Sequence, residues 1–196
     1  GADLVVVSGA YSNALEQALE YEIDTGAAQI HAFDAPGTVA GQGTVMAEWE
    51  DQGLEADTVL IAVGGGGLIA GAMAWLEGRC KVVGVEPFNA ATLTKALQTG
   101  PQTTVEVSGI AANALGAKKV GRICYDLAQR TATKTVNVGD DSILNAQILL
   151  WEKLRQLVEP AGAAALAALI SGAYVPQKGE RVAVLLCGAN PAPSPL

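Results

Sequence analysis

The sequence predicts an α/β fold in which three layers form a sandwich around a mostly parallel sheet. Residues 58–62 are apolar and partly β-branched, which is typical of a buried parallel strand. A glycine turn follows, and then an apolar helix over residues 68–76 and a second strand over residues 82–85. A strand, a helix and a strand in this order form a crossover unit, and such a unit joins parallel neighbours.

Length and composition set the size of the core and narrow the range of partners. The chain has 196 residues, of which 50% are hydrophobic and 16% are charged, so it can bury a large sheet. The net charge of −8 argues against nucleic acid or an anionic membrane as the main partner. Cys80, Cys124 and Cys187 lie far apart without metal-ligand spacing, which fits a reducing cytoplasm.

The amino-terminal part is predicted to contain one strand and one helix. Residues 4–7 are consecutive apolar residues, and residues 13–24 carry apolar side chains at helical spacing. Residues 29–33 are a short apolar segment and a candidate strand. They include His31, the only histidine, which at such a position is more often structural than catalytic. A core strand that opens the sequence predicts a piece of a longer protein.

A turn is predicted at residues 34–37, and a helix is predicted to follow residues 41–44 and to end at about Asp51. Thr44 is the expected cap of this helix. Gly41 and Gly43 stand directly before it, and two glycines at this place indicate a hinge or a close approach to another element.

The remainder of the chain alternates between helices and strands. Asp140 or Asp141 is the expected cap of one helix, and the alanine-rich helix that begins at Pro160 suits close packing on a sheet. The periodicity predicts helices over residues 90–97, 116–130, 142–157 and 160–170, and strands over residues 135–138 and 182–186.

Four consecutive glycines separate the first strand of the crossover unit from its helix. They remove every Cβ from the turn, so backbone N–H groups can surround an anion at the positive end of the helix. A phosphate group is the natural ligand of such a turn. A tight strand–helix turn without a ligand is the simpler alternative.

Four short stretches together carry a family resemblance. They are residues 40–44 (AGQGT), 64–68 (GGGGL), 159–163 (EPAGA) and 186–190 (LCGAN). In this order and spacing they resemble the pyridoxal-phosphate enzymes of the tryptophan-synthase-β fold type, and among these the serine/threonine dehydratases. The resemblance covers essentially the whole chain.

The resemblance implies a domain division and an activity. Residues 1–33 would be the last strand and helix of a smaller domain, and residues 34–196 would be the larger, cofactor-binding domain of an incomplete fold. The implied reaction is the pyridoxal-phosphate-dependent dehydration of L-serine or L-threonine to a 2-oxo acid and ammonia. Such an enzyme is a lyase of amino-acid metabolism that acts on a small amino-acid substrate.

The resemblance also implies a cofactor site. Cys187 would face the pyridine nitrogen as a weak, neutral partner, which suits β-elimination. Taken alone, Cys187 would be a small buried hydrophobe, but the flanking motif favours the cofactor role. The cofactor phosphate would be bound by the amides of Gly64, Gly65, Gly66, Gly67 and Leu68.

Residues 86–92 are a second candidate site. In related enzymes this turn offers a carboxylate, a backbone carbonyl and a third oxygen to a cation; here these would be Glu86, the Ala90 carbonyl and Thr92. Because Thr92 supplies no charge, a monovalent ion such as potassium is expected rather than a divalent one. The alternative is that the Glu86 carboxylate is bonded to backbone amides at a strand end.

No catalytic residue is assigned in this chain. The family requires a lysine that forms a Schiff base with the cofactor, and none of the seven lysines lies in the corresponding motif. The leading hypothesis is therefore a dehydratase fragment that is inactive alone. Its exposed apolar face is expected to cause self-association as a homo-oligomer, or residual contact with a cleaved partner. An inactive paralogue that acts as a regulatory or interaction module is the alternative. A dinucleotide-binding domain fits less well, because the glycines lack the spaced pattern.

Overall fold

A computed structural model describes residues 1–8 and 11–190, which belong to two compact units, Gly1–Ala32 and Phe33–Leu196. In the first unit, helix α1 spans Tyr11–Thr25, as expected. The described residues of this unit form no strand, so the strands predicted at residues 4–7 and 29–33 are wrong. The physical reason is that a strand needs a neighbour for its ladder of hydrogen bonds, and no described segment pairs with these residues.

A parallel sheet of four strands forms the centre of the second unit. Its strands lie in the order β3-β2-β1-β4, and every pair of neighbours is parallel. Leu60 pairs with Val184, so β1 and β4 end at the same edge of the sheet. The strands are β1 (Thr58–Ala62), β2 (Lys81–Pro87), β3 (Lys134–Val138) and β4 (Val182–Val184).

Helices cover both faces of the sheet, which confirms the three-layer sandwich. Val59 and Ile61 point to the first face, while Leu60 and Ala62 point to the second. The first face is covered by α2 (Pro36–Asp51), α3 (Gly67–Leu76), α4 (Thr92–Thr99) and α5 (Arg122–Arg130). The second face is covered by α6 (Asp140–Leu154) and α7 (Pro160–Ile170).

Burial on both faces explains why β1 is a continuous apolar run. All five of its residues are buried, and Leu60 and Ile61 have no exposed surface. Burying each of these two side chains contributes about 1.5–3 kcal/mol to the free energy of unfolding. Among the described helices, none combines the length and the apolar character that crossing a bilayer requires.

Several helix starts differ from the prediction. Helix α2 begins at Pro36, because proline at the first helical position has its φ angle already set. Thr44 therefore lies inside α2 and donates its hydroxyl to the Gly41 carbonyl, so it is not a cap. The cap of α6 is Gly139 rather than Asp140 or Asp141, whose carboxylates lie in the first turn near the positive end of the helix.

A further difference is at α5, which begins at Arg122 rather than at residue 116. Residues 116–121 instead form an irregular segment, in which the Gly121 amide donates to the Gly65 carbonyl at 2.9 Å. Two other ends shift slightly: a short 3-10 turn, Phe88–Ala90, precedes α4, and α6 ends at Leu154 because Arg155 has a φ of 56°.

Gly43 and Gly71 allow α2 and α3 to cross closely. A Cβ on Gly71 would overlap the backbone nitrogen of Gly43, and a Cβ on Gly43 would lie 3.1 Å from the Gly71 carbonyl oxygen. Neither helix can move away without opening the core that contains Val39 and Met46. The glycine at residue 43 thus marks a close helix approach, one of the two alternatives that the sequence indicates.

The Glu180 carboxylate joins the start of β1 to the loop between α7 and β4 at the amino-terminal edge of the sheet. It accepts hydrogen bonds from the Thr58 hydroxyl at 2.5 Å, the Tyr174 hydroxyl at 2.6 Å and the Gln177 amide at 2.7 Å. The hydrogen bond from Thr58, followed by those from Tyr174 and Gln177, lowers the pKa of Glu180 to about 2. The ionised carboxylate is therefore the form that the fold favours.

We expect Glu180 to make the stability of the chain decrease at acidic pH. Because its pKa is lower in the folded than in the unfolded chain, its contribution is complete above about pH 5 and is lost as the pH falls through about 2. Urea unfolding across this pH range should show that the free energy of unfolding falls less steeply with decreasing pH for Glu180→Gln than for the wild type. The exposed Glu106→Gln is the control and should follow the wild type. Equal pH slopes for Glu180→Gln and the wild type would contradict this role.

Candidate functional site

The glycine loop, residues 64–67, leads from the end of β1 into the first residue of α3. Its carbonyls accept hydrogen bonds, and its amides remain available. The Val63 amide donates to the Val85 carbonyl at 2.9 Å. The Gly64, Gly65 and Gly66 carbonyls accept hydrogen bonds from Thr92, Gly121 and Ala70, respectively. Within residues 1–8 and 11–190, none of the amides of residues 64–68 donates a backbone hydrogen bond to another element. Open amides at the positive end of a ten-residue helix form an anion site.

Close packing behind the loop explains why glycine is needed there. A Cβ on Gly65 would overlap the ring of Phe33, and a Cβ on Gly64 would lie 2.9 Å from the Leu115 Cα. Gly66, the cap of α3, has a φ of 91°, which strains other residues. The loop is therefore fixed by close contacts with Phe33 and Leu115.

Asp34 helps to attach the start of α5 to the glycine loop. Its carboxylate accepts the Arg122 amide at 2.9 Å and the Ile123 amide at 3.0 Å, and so satisfies the start of α5. The neighbouring Gly121 amide bonds to the Gly65 carbonyl, so these residues brace the loop. The sequence around Asp34 indicates only a turn, because the partners of its carboxylate lie 88 and 89 residues away.

Glu86 lies at the end of β2, and its carboxylate accepts hydrogen bonds from the first turn of helix α4. Its Oε1 accepts the Leu93 amide at 2.7 Å, and its Oε2 accepts the amide and hydroxyl of Thr94 at 2.8 and 2.6 Å. Burial raises the pKa of Glu86, while these hydrogen bonds act in the opposite direction. These contacts match the alternative in which the carboxylate is bonded to backbone amides, and the cation at this turn stays a prediction. The described residues contain no cluster of three or more His, Cys, Asp or Glu side chains able to hold a metal ion.

Thr92 connects the Glu86 turn to the glycine loop. Its buried hydroxyl lies 2.8 Å from the Gly64 carbonyl oxygen and 3.2 Å from Glu86 Oε1. A hydroxyl has one proton, and the shorter distance assigns it to the Gly64 carbonyl. The sequence predicted Thr92 as a cation ligand, whereas the structure gives it a contact with the loop that the prediction did not include.

Cys187 follows β4 at the same edge of the sheet. The Leu185 amide extends the pairing with β1 by donating to the Leu60 carbonyl at 3.0 Å. Cys187 is partly buried, and burial, with a smaller contribution from the Glu159 charge, raises the pKa of its thiol. The thiol is therefore neutral at neutral pH.

Two of the four predicted motifs meet beside Cys187. The Glu159 amide, at the start of α7, donates to the Gly188 carbonyl at 3.1 Å, so the stretches at residues 159–163 and 186–190 are in contact. The glycine loop follows the adjacent strand β1, and Glu86 lies in β2 on the other side of β1. The candidate site residues thus lie at the carboxyl ends of three neighbouring strands, where ligands gather in open α/β sheets.

The lysines lie away from this edge or on the surface. Lys81 and Lys134 begin β2 and β3, at the opposite edge of the sheet. All seven lysines of the chain are exposed: Lys81, Lys95, Lys118, Lys119, Lys134, Lys153 and Lys178.

Comparisons with known proteins agree on one family. Residues 1–188 match the family model described as "Pyridoxal-phosphate dependent enzyme". Phenylserine dehydratase of Ralstonia pickettii is 35% identical over 193 residues, which cover 97% of this chain and 59% of that protein. L-threonine ammonia-lyase of Thermotoga maritima is 32% identical over 193 residues, which cover 97% of this chain and 48% of that protein.

Solved structures give the same result. A crystal structure of the T.th. threonine deaminase has a TM-score of 0.84 and 32% identity, over 98% of this chain and 65% of that one. Maize serine racemase has a TM-score of 0.86 and 25% identity, over 94% of this chain and 59% of that one. The chain spans about half to two thirds of the length of these relatives.

Removing the Thr92 hydroxyl should destabilise the fold. Thr92→Val keeps the shape but leaves the Gly64 carbonyl without its donor, at an expected cost of about 1–3 kcal/mol in the free energy of unfolding. Thr99→Val, on the exposed end of the same helix, is the matched control and should change stability by less than about 0.5 kcal/mol. Urea unfolding measures both, and equal effects would contradict the role assigned to Thr92.

Proposed function

Because the chain belongs to the pyridoxal-phosphate-dependent enzymes, we propose that it forms the phosphate-binding and ring-nitrogen-facing part of an enzyme that dehydrates L-serine or L-threonine. The observation that carries the proposal is the glycine loop, whose carbonyls accept hydrogen bonds while its amides donate no backbone hydrogen bond to another described element. The names of its relatives, phenylserine dehydratase and L-threonine ammonia-lyase, support this reaction class. Overall, the α-hydrogen and β-hydroxyl leave as water, and a water molecule then replaces the amino nitrogen, giving a 2-oxo acid and ammonia.

The residues of the loop fit a phosphate group. The amides of residues 64–68 would bind its oxygens, and the positive end of α3 would favour its negative charge. When bound, pyridoxal phosphate supplies an electron-withdrawing ring that stabilises negative charge at the substrate α-carbon. The protonated thiol of Cys187 would be a weak partner for the ring nitrogen, and it would not hold a full positive charge there as a carboxylate would.

The domain division and the cellular location of the chain are also proposals. Residues 1–33 would belong to the smaller domain and residues 34–196 to the larger one, and the two compact units support this division. The free thiols of Cys80, Cys124 and Cys187 support the cytoplasm as its location.

Potassium at Glu86, the Ala90 carbonyl and Thr92 is the cation that this turn would favour. The neutral Thr92 hydroxyl in the third position supports a monovalent ion. Both Glu86 oxygens already accept hydrogen bonds, so a bound ion would have to share them with the start of α4. Its role would be to support the turn that contacts the glycine loop.

An inactive module for regulation or interaction is the second candidate function. The observation that favours it is the exposure of all seven lysines, none of which is positioned by burial as a cofactor-linking amine would be. Sequencing upstream of Gly1 distinguishes the two candidates. An in-frame lysine motif supports the enzyme, whereas a start codon beside Gly1 supports the module.

The proposed activity is tested on the protein encoded by the complete reading frame. We expect 2-oxo acid release from L-serine or L-threonine, and a loss of about a hundredfold in kcat/KM for Gly65→Ala, because displacing Phe33 moves the phosphate-binding amides. Gly41→Ala is the matched control, since its Cβ would enter open space on α2. Activity on neither amino acid, with activity on a sulfhydrylase substrate instead, would contradict the assignment.

The 196-residue chain alone should lack this activity. We expect borohydride reduction in the presence of pyridoxal phosphate to label surface lysines only in low yield, because all seven are exposed and none is preferred. Peptide mapping by mass spectrometry measures the yield at each lysine. A single stoichiometric adduct together with 2-oxo acid release would show that this chain carries its own catalytic lysine.

A further inference from the structure

The side chain of Glu159 lies beside the end of β4 and is not used to build the fold. Glu159 occupies the cap position of α7, but its carboxylate makes no cap hydrogen bond. Among residues 1–8 and 11–190, no group donates a hydrogen bond to this carboxylate, although the side chain is partly buried. Its charge is therefore not taken up by a donor and can act on neighbouring groups.

Two glycines allow the start of α7 and the residues after β4 to interlock. A Cβ on Gly188 would overlap Oε1 of Glu159, and a Cβ on Gly162 would overlap the carbonyl oxygens of Cys187 and Gly188. The hydrogen bond from the Glu159 amide to the Gly188 carbonyl joins the same two segments. The backbone thus places the Glu159 carboxylate against Gly188, the residue that follows Cys187.

We propose that Glu159 is a positioning residue that acts on the cofactor site through Cys187, because the interlocked backbone holds its negative charge close to the thiol. The inference rests on the proposed function for the role of Cys187, but not for the contact itself. After burial, the Glu159 charge is the second cause that raises the pKa of this thiol, and it is the charged group among the described residues that does so. A thiolate would stabilise positive charge on the ring nitrogen, whereas Glu159 keeps the thiol in its neutral, weaker form.

The reaction of Cys187 with iodoacetamide in the 196-residue chain, without cofactor, tests this role. Only the thiolate reacts, so the dependence of the rate on pH reports how firmly the thiol holds its proton. Glu159→Gln keeps the size of the side chain and removes its charge. We expect it to shift the pH profile of Cys187 to lower pH and to raise the rate at pH 8 by about threefold or more. Mass spectrometry of the peptide that contains Cys187 measures the rate.

Gly188→Ala tests the same contact without changing any charge. Its Cβ would displace the flexible end of the Glu159 side chain, so the pH profile of Cys187 should lie between those of the wild type and Glu159→Gln. A change in access to the thiol alone would alter the rate by the same factor at every pH. Glu152→Gln, at an exposed position of α6, is the matched control and should have the profile of the wild type.

The folded state is essential to the expected difference. Circular dichroism confirms that each variant is folded, and in urea the wild type and Glu159→Gln should react at equal rates, because the contact is then lost. The proposal is overturned if neither Glu159→Gln nor Gly188→Ala shifts the pH profile of Cys187, or if Glu152→Gln shifts it to the same extent. Such a result would not affect the proposed dehydration, which fails instead if the protein from the complete reading frame releases no 2-oxo acid.

Discussion

The contact between the glycine loop and Phe33 is the constraint on which the rest of the candidate site depends. The ring of Phe33 occupies the space in which a Cβ of Gly65 would lie, and Leu115 approaches Gly64 in the same way. The loop can pass between β1 and α3 only without side chains. This packing fixes the peptide groups so that their amides remain open, and a fixed set of open amides is what an anion site requires.

Other elements attach to the loop through its carbonyls. Gly121, placed by the Asp34 carboxylate at the start of α5, donates to the Gly65 carbonyl, and Thr92, at the start of α4, donates to the Gly64 carbonyl. Two helices are thus anchored to the loop, and each has its amino-terminal amides satisfied by a carboxylate from outside the helix. A change at one of these contacts should therefore alter both the stability of the fold and the shape of the loop.

The sequence was sufficient to predict those elements of the fold that are determined by residues adjacent in the chain. The apolar run of β1, the glycine turn and the alanine-rich α7 were predicted because their signals stand side by side in the sequence. The start of α5 was missed because it depends on Asp34, 88 residues earlier. The contact between Thr92 and Gly64 was missed because the two residues lie 28 positions apart. The isolated strand at residues 4–7 failed because an apolar run says nothing about a pairing partner.

The most direct test of the account is whether the loop amides bind phosphate. A titration of the chain with inorganic phosphate, followed by proton–nitrogen correlation spectra, should shift the amide resonances of residues 64–68 before all others. Gly65→Ala should lose these shifts, and Gly41→Ala should keep them. If phosphate leaves these resonances unchanged, or shifts the first amides of α6 and α7 to the same extent, the glycine loop is only a tight turn and the central claim is wrong.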